Sequence, residues 1–281
     1  GQVLMALFVI SYAASIVLFF VTARYRVPLI PFLMIFSGHA LKRIYEALTL
    51  KHHGRTAAYG TVLLALLVLT HLDPYDMGSR GAAQAYYGRG VDFALKGDHA
   101  QALEQFRLAL KEYPTFTDAR YNMGLSLLAL GRAAEAEEAF RDVIALTPRT
   151  PDAHLQLGAA LLQQGRGREA LISLERAVAL DPDSPAARNL LGALLGRAGR
   201  LEEGIAQLQQ AVRLDPGSAS AHYNRACLYA LEGRPEEALT SLQEALDRGF
   251  GPKEKILSDP DLASLHRDER FRRLLEEISR R

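Results

Sequence analysis

The sequence predicts an all-α chain: membrane helices first, then a solenoid of five helix pairs, then a short helical cap. Three observations carry that prediction. Glycine, proline and alanine positions recur every 34 residues through 83–252, a period that marks helix–turn–helix repeats. The first 72 residues are overwhelmingly apolar, whereas the remainder is amphipathic and charged. The last stretch, 268–278, sets Phe271, Leu274, Leu275 and Ile278 on one helical face. A length of 281 residues leaves room for two ordinary domains, and a net charge of +1 points to no strongly charged partner.

The membrane region comes first. Residues 3–23 run 21 positions without a charge, enough to cross a hydrocarbon core of about 30 Å. A secretory leader would need a basic start and a shorter apolar run, so a transmembrane helix is expected. Two shorter runs follow, 27–41 with Pro28 and Pro31, and 57–72. Either can span a thin bilayer or form a buried or re-entrant helix. Four basic residues (Lys42, Arg43, Lys51, Arg55) lie between the second and third runs, against Arg24 and Arg26 between the first two. The positive-inside rule then puts the second connection in the cytoplasm and the repeats on the opposite side of the membrane, the bacterial inner membrane being the expected setting. The start at Gly1 suggests the tail of a longer protein or a trimmed chain. Residues 73–82, with Pro74, Gly78 and Gly81, read as a linker.

The repeats follow as five units, 83–116, 117–150, 151–184, 185–218 and 219–252. In the first, Tyr86, Gly90 and Phe93 share one helical face, and Ala102, Phe106 and Ala109 share a face of a second helix. Small residues at Gly90 and Ala102 allow close approach. Gly97, Gly131, Gly165, Gly199 and Gly233 supply the turn between helices, and Pro114, Pro148, Pro182 and Pro216 close the units. Two registers break: Gly204 stands where Ala102, Ala136, Ala170 and Ala238 stand elsewhere, and Phe250 replaces the fifth closing proline.

These residues resemble the tetratricopeptide repeat pattern over 83–252. The early aromatic of that pattern is Tyr86 in the first unit but Arg120, His154, Arg188 and His222 in the others. The resemblance implies a right-handed α-solenoid with a concave groove lined by first helices. Carried onto this chain, the groove positions are Tyr87, Tyr121, Asn122, Leu125, Leu155, Asn189, Tyr223 and Asn224, with Cys227 beside them. Amides can pair with an extended peptide backbone, and tyrosines add apolar area with a polar tip. Helix packing is the rival reading for each. No groove position is lysine, so the carboxylate clamp known in that family is not expected. The implied partner is a protein or peptide.

A second resemblance lies in residues 20–36. An aromatic helix end, then Ala23-Arg24-Tyr25-Arg26-Val27-Pro28 and a further apolar run, looks like the late helices of dolichyl-phosphate-mannose protein mannosyltransferase-like membrane glycosyltransferases. It implies that Arg24 and Arg26 could contact a lipid phosphate, the alternative being interfacial anchors. It also opens the alternative that the chain is the C-terminal portion of such an enzyme, its repeats recruiting the acceptor.

Nothing in the repeats carries chemistry of its own. There is no phosphate loop, HExxH or nucleophile elbow, so no catalytic residue, cofactor or metal is expected. A single cysteine, Cys227, excludes an internal disulfide. Arg132, Arg166, Arg200 and Arg234 follow the turn glycines, either as a basic edge or as solvated turn residues, and no nucleic-acid partner is expected.

Overall fold

The computed structural model describes residues 74–251 and 253–278. Among them every regular element is helical. The first pair is α1 (Pro74–Leu95) and α2 (His99–Glu112), the second α3 (Thr117–Ala129) and α4 (Ala133–Leu146), the third α5 (Pro151–Gln163) and α6 (Gly167–Leu180). The fourth is α7 (Pro185–Arg197) and α8 (Leu201–Leu214), and the fifth α9 (Ala219–Leu231) and α10 (Pro235–Asp247). Then come α11 (Lys253–Leu257), a 3₁₀ turn η1 (Pro260–Leu265) and α12 (Glu269–Ile278). The chain divides into two compact units, Gly1–Ala82 and Ala83–Arg281, and the repeats lie in the second.

The periodic residues act as their chemistry dictates. Each turn glycine from Gly97 to Gly233 has φ between 72° and 79°, a region that side chains disfavour. The next N–H then reaches the carbonyl five residues back, as in Arg132 to Leu127 and Arg166 to Leu161, both 2.9 Å, which closes the first helix of each pair. Gly90 and Gly124 make room for Phe106 and Phe140, since an added Cβ would come within 2.5 and 2.7 Å of those rings. The break at Gly204 has the same cause in backbone form: a Cβ there would lie 2.8 Å from the Gly192 carbonyl and 2.6 Å from Leu228. Helices α7 and α8 approach too closely for alanine.

Replacement of the early aromatic also has a structural reason. Arg120, His154, Arg188 and His222 all turn back to the carbonyl of the proline six residues earlier. Arg120 Nη2 donates to Pro114 at 2.7 Å and Arg188 Nε to Pro182 at 2.7 Å. The Nε2 atoms of His154 and His222 lie 3.2 and 3.1 Å from the Pro148 and Pro216 carbonyls. Each side chain thus satisfies a carbonyl just past the end of the preceding helix, where the chain offers no helical partner.

Burial runs along the stack in two clusters. One joins Leu103, Leu127, Phe140, Leu161, Leu174 and Leu195 across the first four pairs. The other joins Ile205, Leu208, Tyr229 and Leu242 to Ile256, Leu262, Leu265, Phe271, Leu274 and Leu275 of the C-terminal elements. The C-terminal segment is therefore a cap that covers the apolar end of the last repeat.

One expectation is revised. The expected linker, 73–82, is helical from Pro74 onward, because proline in a first helical turn lacks only an N–H that has no partner there anyway. Gly78 and Gly81 weaken that helix without ending it. Among the described residues no helix is long and apolar enough to cross a membrane. The runs 3–23, 27–41 and 57–72, with Arg24 and Arg26, lie outside the described residues.

Candidate peptide-binding groove

The groove residues sit on the first helices, α1, α3, α5, α7 and α9, where the repeat brings equivalent positions side by side. Tyr87 packs against Phe106 and Phe116, with ring centroids 6.0 and 5.0 Å away, and Tyr121 meets Phe140 edge-on at 5.7 Å. Both rings remain part-exposed. Polar tips then pair from one unit to the next. Asn122 Nδ2 donates to the Tyr87 hydroxyl at 3.2 Å, and Asn224 Nδ2 donates to Asn189 Oδ1 at 2.9 Å. Burial, followed by the charges of Asp118 and Asp152, raises the Tyr87 and Tyr121 phenols above their ordinary range, so both stay neutral donors. Leu155 and Leu190 interrupt the polar run and lean on the core. Leu125 does the same one unit earlier.

Tyr223 departs from the expected role. It is 5 % exposed, its ring stacks on Phe250 at 3.9 Å and 14°, and its hydroxyl donates to Asp259 Oδ2. Lys255 Nζ lies 5.1 Å from the Phe250 centroid on the same edge. The tyrosine that is part-exposed in the first two units is here bound by the chain's own cap. Phe250, Lys255, Asp259 and Asp261 join the groove end without matching any groove position of the repeat pattern. The one signal in the sequence is phenylalanine at the closing-proline register.

Where the fourth unit, the fifth unit and the cap meet lies a cavity of about 580 Å³, lined by Ala193, Arg197, Ser220, Asn224, Cys227 and Asp261 among others. Burial, and then the charge of Asp259, raises the Asp261 carboxyl above the ordinary range. Burial and both carboxylates push the Cys227 thiol up, so it stays protonated at neutral pH. The Cys227 sulfur and the two carboxylates lie within 4.8 Å of one another. Asp259 accepts the Tyr223 hydroxyl and the Asp261 N–H, which ties the cap to the fifth unit.

The turn arginines form no open basic edge. Arg132, Arg166, Arg200 and Arg234 each pair with the glutamate three residues on, at 2.5, 2.5, 2.6 and 2.7 Å.

Profiles described as tetratricopeptide repeat match residues 121–185 and 189–253, and a second such profile matches 94–147. Together they span more than half of the chain. No curated protein sequence matches. Among solved structures, the Pseudomonas aeruginosa pilF protein is 22 % identical with a TM-score of 0.60, over 72 % of this chain and 90 % of that one. MamA 41-end from Desulfovibrio magneticus RS-1 is 25 % identical with a TM-score of 0.55, over 63 % and 98 %. A further MamA crystal structure is 23 % identical with a TM-score of 0.52, over 60 % and 97 %. With its 34-residue registers, paired helices and matching profiles, the chain belongs to the tetratricopeptide repeat family.

Proposed function

We propose that this chain is a membrane-tethered scaffold that holds an extended segment of a partner protein along the concave face of its repeats. The observation that carries this reading is the row of part-exposed groove side chains on successive first helices: Tyr87, Tyr121, Asn122, Leu125, Leu155, Asn189 and Asn224. Their phenols and amides keep hydrogen-bonding capacity after the inter-unit bonds are made, because each amide oxygen has two lone pairs. A tether of the kind expected from 3–23 would raise the local concentration of partners at the bilayer, and the repeats would stand on its extracytoplasmic side.

Photocrosslinking in native membranes tests the groove. A photoreactive residue at Tyr121 or Asn224 is expected to capture one defined protein that the same residue at exposed Arg213 does not. Equal capture at all three positions would leave the repeats as a spacer. Sidedness is tested by introducing cysteine at Arg213 and labelling intact cells with an impermeant thiol reagent, labelling being expected if the repeats are extracytoplasmic. The glycosyltransferase alternative rests on residues 20–36, outside the described residues. Its test is transfer of a sugar from a polyprenyl-phosphate donor in native membranes that hold the protein, compared with membranes that lack it.

A further inference from the structure

The C-terminal cap keeps the step of the repeats. A sixth unit on the same 34-residue period would place its first helix over 253–265 and start its second at 269. Helix α11 and turn η1 fill the first of those ranges, and α12 begins at Glu269. Asp268 Oδ1 accepts the Arg270 N–H at 2.8 Å, much as Asp98 Oδ1 accepts the Gln101 N–H at 3.0 Å in the first unit. The departure lies at the close-approach register. Gly90, Gly124, Gly158, Gly192 and Ala226 are followed there by Pro260, and proline in a helix interior breaks this first helix in two.

The break decides what stands at the end of the groove. One residue later, the register of groove residue Leu125 continues through Ala193 and Cys227 to Asp261, and these last three line the cavity together. Its volume of about 580 Å³ is that of a ligand pocket. The hydrogen-bonding groups inside are one-sided. The Tyr223 hydroxyl donates to Asp259, Cys227 Sγ stands 4.0 Å from the same carboxylate, and Asn224 Nδ2 donates to Asn189 Oδ1 at 2.9 Å. Those inner donors are spent. Among the described residues no donor bonds the Asp261 carboxylate or Asn224 Oδ1, and Asp259 stands close enough to repel Asp261. Both carboxylates are half-buried, whereas Arg197 and Lys255 on the same cavity are exposed and screened by solvent. A ligand that fits must bring donors and positive charge. We propose that this pocket takes a lysine or arginine side chain of the partner segment, held by Asp261 and Asn224 Oδ1 at the closed end of the groove. The assignment rests on the groove reading above and names the residue class it selects.

Blocked tripeptides with arginine, lysine, glutamine or glutamate between two alanines test the pocket. They are titrated into the full 281-residue chain in detergent micelles, with a chelator present to exclude metal ions. The backbone amides of Asp259 and Asp261 report binding in NMR spectra of aspartate-labelled protein. The arginine and lysine peptides are expected to shift both amides and to saturate at roughly tenfold lower concentration than the glutamine peptide, the scale of one charge-assisted hydrogen bond. Asp261→Asn keeps the shape of the pocket and leaves the Tyr223–Asp259 bond in place, so it should erase the preference read at the Asp259 amide. Equal binding of the four peptides, binding of none, or a preference that survives in Asp261→Asn would overturn the proposal. Photocapture at Tyr121, outside the pocket, fails separately. One defined protein captured there while the basic peptides stay silent strikes the pocket alone, and basic peptides that bind without such capture strike the extended groove alone.

Discussion

In the second unit Tyr121 stands part-exposed on α3, its ring packed on Phe140 and still reachable from solvent. At the same register in the fifth unit, Tyr223 is sealed between Phe250 and Asp259. The two helices share the same turn glycine geometry and the same small–large packing, so the difference does not arise within the repeat. It arises from what comes next. A repeat followed by another repeat leaves its groove side chains to solvent, while a repeat followed by a cap commits one of them to its own closure. Tetratricopeptide register alone therefore does not say which groove positions a ligand can reach.

That contrast can be broken most severely at the cap. Phe271 is 1 % exposed in the cluster shared with the fifth unit, and Phe271→Ala should cost about 3–5 kcal/mol. Hydrogen exchange should show the loss concentrated in α9, α10 and the cap, and an equal loss in α3 and α4 would mean the stack behaves as one unit. Gly204→Ala comes next. Any gain in helix propensity is outweighed by contact with the Gly192 carbonyl, and a loss of about 1–3 kcal/mol in denaturant unfolding is expected.

Tyr223→Phe removes the bond to Asp259 and should cost about 1–2 kcal/mol, whereas Tyr121→Phe should stay within about 0.5 kcal/mol. If both substitutions are equally mild in thermal unfolding, Tyr223 is a groove residue after all. The smallest effect is in acid. Burial raises the Glu137 carboxyl, but hydrogen bonds from Gln164 and Arg166 and the charge of Arg141 outweigh it, leaving the group below its ordinary range. A folded-state value below the unfolded one stabilises the protein above about pH 4.3 and is lost as pH falls through the folded value. Glu137→Gln should flatten the acid limb of a stability–pH curve. The joint of units two and three then weakens toward acid.

Much of this fold is legible in the amino-acid sequence, and the reasons are local. A glycine every 34 residues at positive φ, a proline after the second helix of the first four units and a small residue facing each large one are demands that neighbouring atoms make directly. The cap helix is legible for the same reason, through Phe271, Leu274 and Leu275 on one face. The helical start at Pro74 is not, because Pro74, Gly78 and Gly81 resemble a linker, although only the N-terminal position of the proline matters. The groove is legible as a list of positions but not as a surface. Nothing near Tyr223 in sequence announces Asp259, which lies 36 residues further along the chain.

The sequence by itself determined the repeat, its period, its turns and its all-helical class, because those depend on contacts within one helix pair or between adjacent pairs. Only the tertiary structure decided that Gly204 answers Gly192, that the turn arginines are neutralised, and that Asp259 binds Tyr223. Those outcomes depend on distances between side chains from different helices. Small rotations of one helix against another set such distances, and a periodic pattern of residue types does not encode them.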